Sequence, residues 1–237
     1  MDENTLHKNK GYILYLDVLG YKDILNSNRE KDIDSLKKFL LKLQPKYLPI
    51  DRRLFEGCDI YKFHIRHFSD NILIFYQSIE EDVKAFVGMI YLANYIQSNG
   101  VVLGFMTRGS LSYGTIEYNG KIVFGKQIVD SCEIEKNNHC PSICLSKELK
   151  EFVIDNPIRG IDDLLSPFGY FHHTDRDAQD RCLTGLKLMI ERLNHRSAIE
   201  PNVIDKHEWL IEEYNRYFCI EEKKKLNRLP SGMYGIK

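Results

Sequence analysis

The chain has 237 residues, 43% of them hydrophobic and 11% aromatic, so it can bury a core; disordered and fibrous classes are excluded. The 33 Lys and Arg residues balance 34 Asp and Glu residues, which leaves no overall basic surface for duplex DNA or RNA. A small polyanionic ligand remains compatible with this balance, because a few local cations and a metal ion suffice to hold one.

The amino-terminal segment is charged, and Asp17 interrupts its apolar run, which is unlike a signal peptide. No stretch reaches the roughly 18 apolar residues that a membrane span requires. The six cysteines form no CxxC pair, which favours free thiols in a reducing compartment over a zinc site. We therefore expect a soluble cytoplasmic protein.

Hydrophobic periodicity and turn residues predict alternating strands and helices. Up to residue 100 the predicted elements are a strand at 11–17, a helix around 33–41 ended by Pro45 and Pro49, strands at 61–68 and 72–76 joined at Ser69-Asp70-Asn71, and a helix at 79–98 closed by Asn99-Gly100. Beyond it they are a strand at 101–118, a hairpin at Asn119-Gly120, a strand at 121–124, a helix at 125–136, a strand at 143–146 and a helix begun by Ser146.

The order strand–helix–strand–strand–helix–strand is typical of the split βαβ, or ferredoxin-like, arrangement. It predicts an α+β fold with an antiparallel-rich sheet and helices on one face. We assign residues 1–156 to this domain. Residues 157–237 are predicted to be a mostly helical extension packed on the core, with helices at 179–195 and 203–220.

Two carboxylates are predicted to meet at one end of this sheet. Asp17 closes the first strand, and Asp70 lies at the bend of a hairpin whose strand neighbours the first in a split βαβ fold. Two adjacent carboxylates can hold two divalent cations roughly 3.5–4 Å apart, the spacing used in phosphoryl transfer. Magnesium suits such a site, since it prefers few carboxylates and keeps positions for water and phosphate.

Four segments in register resemble the class III nucleotidyl cyclases over about residues 11–146. The segment Tyr15 to Tyr21, reading YLDVLGY, resembles the family's F-x-D-I-x-G-F metal segment, and Phe68-Ser69-Asp70 stands where the family has its G-D hairpin. The segment RGSLSYG from Arg108 resembles the R-x-G-I-x-x-G strand, and GKQIVDSCEIE from Gly125 resembles the G-x-x-V-N-x-A-x-R-x-E helix.

The resemblance implies a metal-dependent cyclase with two Mg²⁺ or Mn²⁺ ions and an active site shared between two subunits of a homodimer. It assigns Asp17, Val18 and Asp70 to the metal ions. It implies nucleotide contacts from Val18, Leu19, Gly20, Tyr21 and Ser69 of these segments and from Arg66, four residues before Asp70.

Two positions depart from the family pattern. The family's helix supplies an Asn and an Arg that position the ribose and stabilise the transition state. This chain has Val129 and Glu133 at those two positions. The D-x-L-G-[FY], F-S-D and R-G variants are closer to bacterial Pycsar-type cyclases, which implies cyclic CMP or cyclic UMP as the product and a role in anti-phage defence.

Cations are also needed to meet the triphosphate, and Arg108, Arg66 and Lys62 are the candidates. Arg66 lies where the family places a base-reading lysine, and its guanidinium could donate to a pyrimidine carbonyl. Arg108 is the candidate for transition-state stabilisation, although it could instead hold the hairpin in place.

Three functions remain open from the sequence. The first is cyclisation of a nucleoside triphosphate. The second is a palm-type dinucleotide cyclase or polymerase, although its G-G-D/E-[DE]-F or G-G-D-D hairpin is absent from Phe68-Ser69-Asp70-Asn71. The third is a cyclase-like module that binds nucleotides without turnover, which the loss of the Asn and Arg favours.

Overall fold

The computed structural model describes residues 6–48, 63–119, 123–171, 175–195, 199–220 and 226. The strands are β1 (His7–Leu19), β2 (Phe63–Phe68), β3 (Asn71–Gln77), β4 (Met106–Tyr118), β5 (Val123–Phe124) and β6 (Ile143–Leu145). The helices are α1 (Tyr21–Asn26), α2 (Glu30–Lys42), α3 (Val83–Val102), α4 (Lys126–Lys136), α5 (Lys147–Asp155), α6 (Ile161–Leu164), α7 (Arg176–Asn194) and α8 (Pro201–Tyr217), with a 3₁₀ turn at Pro45–Tyr47.

The six strands form one sheet in the order β2-β3-β1-β4-β5, with β6 parallel to β4. The other pairings are antiparallel. The order of β1 to β4 is that of the split βαβ arrangement, so the predicted α+β fold is confirmed. Strand β1 is central and pairs with β4 from His7–Tyr118 to Leu19–Met106.

The two faces of the sheet are covered differently. Alternate residues of β1, Tyr12, Leu14 and Leu16, join the main core with Phe39 of α2 and Phe86 of α3. On the other face, α4 packs Ile128 against Ile13 and Ile116, and Ser131 of α4 hydrogen-bonds Ser110 and Ser112 at 2.8 and 2.7 Å. The helix predicted at 125–136 is therefore present as α4, but it lies on the opposite face, so the prediction of helices on one face holds for α2 and α3 and is wrong for α4.

Helix α3 differs from its predicted bounds at both ends. It begins after Asp82, whose carboxylate accepts hydrogen bonds from the N–H groups of Lys84 and Ala85. It passes through the predicted stop at Gly100 and ends where Gly104 takes a left-handed conformation with φ of +81°. Strand β4 consequently begins at Met106 rather than at 101.

Other elements are close to prediction. Ser69 and Asp70 form the turn between β2 and β3, and the Ser146 hydroxyl caps α5 by accepting from the Leu149 N–H. Gly120 of the predicted Asn119-Gly120 hairpin lies outside the described residues, as do Lys62 and Cys58. The other five cysteines are free thiols. None of the helices in the described ranges has both the length and the apolar character of a membrane span.

The carboxy-terminal helices pack at the end of the sheet where β1 ends and β4 begins. Their cluster joins α7 and α8 to the end of α3 and the start of β4; it contains Val101, Met106, Phe168, Cys182, Leu186, Met189, Leu210, Tyr214, Tyr217 and Phe218. An ion pair adds to it: Arg192 of α7 donates to the buried Asp32 of α2 at 3.0 Å and lies over the Phe105 ring at 4.7 Å. This extension therefore packs on the sheet domain.

Gly185 allows α7 to approach α3 closely, because a Cβ at this position would lie 1.8 Å from the Val101 carbonyl oxygen. We expect Gly185→Ala to lower the free energy of unfolding by about 3 kcal/mol, since backbone must move to relieve the clash. Urea denaturation would measure the change. The exposed neighbour Thr184 provides the matched control: Thr184→Ala should lie within about 0.5 kcal/mol of wild type, and equal effects of the two variants would contradict the close approach.

Candidate active site

Asp17, Asp70 and Arg108 meet at one end of the sheet. Asp17 of β1 is in register with Asn71 of β3 on one side and with Arg108 of β4 on the other. The N–H of Val18 donates to the backbone carbonyl of Asp70 at 2.9 Å, which fixes the β2–β3 turn beside the end of β1. The structure thus brings the two predicted metal carboxylates together.

The β2–β3 turn orients Asp70 through a short chain of hydrogen bonds. The Asn71 side-chain amide donates to Asp70 Oδ1 at 2.8 Å, and the Tyr15 hydroxyl donates to the Asn71 side-chain carbonyl at 2.5 Å. Ser69 has a φ of +60°, a conformation in which glycine is relaxed and other residues are strained. Ser69 therefore shapes the turn through its backbone.

The charge on Asp17 is costly in this arrangement. Burial raises the pKa of its carboxyl, and the nearby Asp70 charge raises it further, against a lowering by Arg108, whose Nε lies 3.5 Å from Asp17 Oδ2. A bound cation would offset both unfavourable contributions, because it favours the ionised carboxylate.

The donor set fits a hard divalent cation. Within the described ranges, no three side chains of His, Cys, Asp and Glu form a metal-binding group. Two carboxylates from Asp17 and Asp70 are nevertheless sufficient for Mg²⁺, which keeps its other positions for water and phosphate oxygens. These two side chains and the backbone of Val18, whose N–H donates to the Asp70 carbonyl, are the candidate ligands of the ions.

The residues after Asp17 connect β1 to α1. The Val18 side chain is buried and Leu19 packs against the cluster of the carboxy-terminal helices, so neither side chain is directed toward solvent beside Asp17. Gly20 is left-handed, with a φ of +75°, and Tyr21 begins α1 and packs against the main core. The segment therefore presents mostly main chain beside Asp17.

Arg108 is engaged by groups of its own chain. Its guanidinium forms an ion pair with Glu135 of α4, lies 3.5 Å from Asp17, and donates from Nη1 to the Asn138 carbonyl at 3.2 Å. Glu135 is buried, and burial raises its pKa while Arg108 lowers it. Arg108 thus joins β4, α4 and the end of β1. Glu135 had no role assigned from sequence, although it ends the cyclase-like helix motif.

We expect Arg108→Met to destabilise the fold by about 3 kcal/mol at pH 8, because Glu135 and Asp17 lose their shared cation. In the variant, the pKa values of Asp17 and Glu135 in the folded state rise further above those in the unfolded chain. The free energy of unfolding of the variant therefore falls as pH rises through these folded-state pKa values. The loss relative to wild type should therefore be smaller at pH 5 than at pH 8. Denaturant titrations at the two pH values would measure it, and an equal loss at both would contradict the role of Arg108.

Arg66 lies on the same sheet face as Asp17 but farther along it. It pairs with Leu73 of β3, which pairs with Tyr15 of β1, so it is two strands, about 10 Å, from β1. Its Nη1 donates to the Ile65 carbonyl at 2.9 Å. Arg66 can border a ligand that extends from Asp17 across β3.

Val129 and Glu133 are exposed on α4. Glu135, two residues beyond Glu133, is the α4 side chain that faces Arg108. The two positions that depart from the cyclase pattern therefore point away from the Asp17 of their own chain.

Lys206 of α8 reaches this end of the sheet, and no role was assigned to it from the sequence. A cavity of about 120 Å³ has Leu19 and Gly20 on one side and Lys206 and His207 on the other. Burial and the Arg108 charge lower the pKa of Lys206, while Asp17 and Glu135 raise it. The extension thus contributes a cation beside Asp17.

No family model matches this sequence, and no curated protein matches it. Among solved structures, the guanylyl cyclase domain of the RhoGC fusion protein from the aquatic fungus Blastocladiella emersonii is similar over 63% of this chain and 86% of that chain, at 12% identity and a TM-score of 0.49. The catalytic core of a rhodopsin-guanylyl cyclase with converted specificity, in complex with ATPαS, is similar over 63% and 84%, at 14% identity and a TM-score of 0.49.

A class III adenylyl cyclase-like ATP-binding protein from Pseudomonas aeruginosa is similar over 91% of this chain and 45% of that chain, at 10% identity and a TM-score of 0.38. TM-scores below 0.5 are too low to support an assignment of either fold or function to this chain. The fold rests on the strand order, and the function rests on the residues of the site.

Proposed function

We propose that this chain is a divalent-metal-dependent nucleotidyl cyclase that converts a nucleoside triphosphate to its 3′,5′-cyclic monophosphate and pyrophosphate. The observation that carries the proposal is the juxtaposition of Asp17, at the end of the central strand, with Asp70 in the adjoining turn. Both lie in segments that resemble the metal segments of class III cyclases.

The reaction needs positioning and charge neutralisation more than covalent chemistry from the protein. The ribose 3′-oxygen attacks the α-phosphorus as its hydroxyl proton passes to a water molecule, and the bond from the α-phosphorus to the bridging oxygen breaks to release pyrophosphate. When bound, the divalent ions would neutralise phosphate charge and favour loss of that proton. Asp17 and Asp70 fix where the ions lie, and the hydrogen bond from Asn71 fixes Asp70.

Arg108 is assigned a positioning role in this proposal. Its ion pairs with Glu135 and Asp17 orient the carboxylate of Asp17 before a ligand binds. Arg66 is assigned to the base in this proposal, where its guanidinium would donate to a carbonyl of a pyrimidine triphosphate, CTP or UTP. That choice, a homodimer and a role in anti-phage signalling are parts of the proposal that rest on the sequence resemblance.

Incubation of the purified chain with each nucleoside triphosphate and Mn²⁺ tests the proposal. Chromatography and mass spectrometry should detect one cyclic monophosphate and equimolar pyrophosphate. A linear or cyclic dinucleotide would instead identify a palm-type enzyme that joins two nucleotides. No product from any of the four triphosphates would refute turnover.

Binding without turnover is the second candidate function. Two observations favour it: Arg108 is engaged by Glu135, and Val129 and Glu133 are exposed. A module of this kind would show thermal stabilisation by a triphosphate and metal with no product, whereas the cyclase would show both.

A further inference from the structure

The end of the sheet that carries Asp17 has an excess of negative charge, and one of its cations, Lys206, has no ion-pair partner among the residues that the structure describes. Asp17, Asp70 and Glu135 are carboxylates of this end, and Arg108 already pairs with two of them. Asp23 lines the same cavity as Lys206. Across the described ranges, Lys206 has no ion-pair partner within 4.0 Å, although it is half-buried. A lysine ammonium that is partly removed from water without a partner is unfavourable unless a ligand completes the site.

The position of Lys206 is fixed by the packing of the extension. Its neighbours on α8, Ile204, His207 and Leu210, are buried, and the His207 ring nitrogen Nδ1 lies 2.7 Å from the Val203 carbonyl oxygen. Helix α8 therefore holds Lys206 at the cavity beside Leu19 and Gly20. Gly20 has no side chain to close that cavity.

We propose that Lys206 binds the polyphosphate of the nucleotide, and that it does so in the same chain whose Asp17 and Asp70 hold the metal ions. This inference rests on the proposed function. It adds a phosphate-binding residue to the proposed site and a direction in which pyrophosphate leaves. Pyrophosphate would leave toward α8, the side on which the ammonium can offset its charge. The cyclase helix motif has an arginine at the position that Glu133 occupies on α4. Lys206 supplies, within one chain, a cation that α4 lacks at that position.

Steady-state kinetics of Lys206→Met with the triphosphate that the wild-type enzyme cyclises test the role. A charge-assisted hydrogen bond to phosphate predicts a KM about 10- to 100-fold higher. Inhibition by Mg²⁺-pyrophosphate should weaken by a similar factor, and Lys206→Arg should restore part of both. The exposed Lys147, on α5, gives the control: Lys147→Met should match wild type. A Lys206→Met enzyme with unchanged KM and pyrophosphate inhibition would overturn the proposal.

A second measurement separates failure of the Lys206 proposal from failure of the proposed cyclase function. If wild type makes no cyclic product, its thermal stabilisation by Mg²⁺-pyrophosphate still measures phosphate binding at this site. Loss of that stabilisation in Lys206→Met, but not in Lys147→Met, supports the role of Lys206; an equal shift in all three proteins refutes it. If Lys206→Met does not fold, Lys206→Gln serves for the same comparison.

Mixing two impaired variants, assayed with triphosphate well below the KM of Lys206→Met, tests whether Lys206 acts within its own chain. In a dimer of Asp17→Asn and Lys206→Met chains, neither site has both residues if they act in the same chain, so activity should stay at the level of the separate variants. If Lys206 served the partner's site, one site of each mixed dimer would be complete, and activity would recover to about a quarter of wild type. Such recovery would overturn the same-chain assignment.

Discussion

Asp17→Asn and Asp70→Asn are expected to lower kcat for cyclic nucleotide formation on the order of 1000-fold, because each removes a carboxylate from the proposed metal site. Without metal, Asp17→Asn should also raise the melting temperature at pH 7.5. Burial raises the pKa of Asp17 in the folded chain, so its charged form costs stability that asparagine does not. The advantage should shrink toward pH 4, where Asp17 takes up its proton in the folded state.

Addition of Mn²⁺ should make the melting temperature of wild type higher than that of Asp17→Asn, which reverses the order expected without metal. Mn²⁺ stabilises the folded state in proportion to its occupancy of the site, so wild type should gain melting temperature and both variants should gain less. Asp34, an exposed carboxylate 3.3 Å from Lys37, gives a matched control, and Asp34→Asn should retain full activity and the full response to Mn²⁺. An Asp17→Asn enzyme with wild-type kcat would refute the metal assignment.

Asp32→Ala is expected to lower the free energy of unfolding by about 3–5 kcal/mol. Asp32 is 2% exposed and accepts from Arg192 of α7, and Arg29 lies 2.9 Å away on its other side. Its removal leaves the largely buried Arg192 guanidinium without its carboxylate, which is the costly way to break a buried pair. Urea denaturation followed by far-UV circular dichroism would measure the loss.

Asp32 and Arg192 join the sheet domain to the extension, so the same variant should weaken the docking of α7. Limited proteolysis should then cut within 160–200 sooner than in wild type. Asp34→Ala, on the same helix but exposed, should cost no more than about 0.5 kcal/mol and leave the proteolysis rate unchanged. Equal losses from Asp32→Ala and Asp34→Ala would contradict a structural role for the buried pair.

The positions of Asp17 and Asp70 could be predicted from the sequence because each is set by local signals. Asp17 ends an apolar strand, Asp70 occupies a turn, and the strand order makes the two neighbours. The end of α3 could not be predicted so well, since Asn99-Gly100 and Leu103-Gly104 offer equivalent local stops. Packing of Val101 in the cluster with α7 and α8 favours the longer helix.

The environment of Arg108 and the position of Lys206 depend on tertiary contacts. Glu135 reaches Arg108 only because α4 crosses the face of the sheet opposite α3. Lys206 lies far from Asp17 in the sequence, and its approach depends on how α7 packs on α3 through Gly185. No periodicity or motif encodes these distances, which explains why the extension had no role assigned beyond packing.

Lys206 lies late in the chain, so the ribosome synthesises it after the strands that hold Asp17 and Asp70. The ribosome adds about 5–20 residues per second, and domains fold as they emerge. A nascent chain that has released β1 to β6 can form its sheet and place Asp17 beside Asp70, yet it lacks α8. Under the assignment of Lys206, such a chain would bind metal but hold triphosphate poorly. Triphosphate binding would then reach its full strength only after α8 has been translated and has docked.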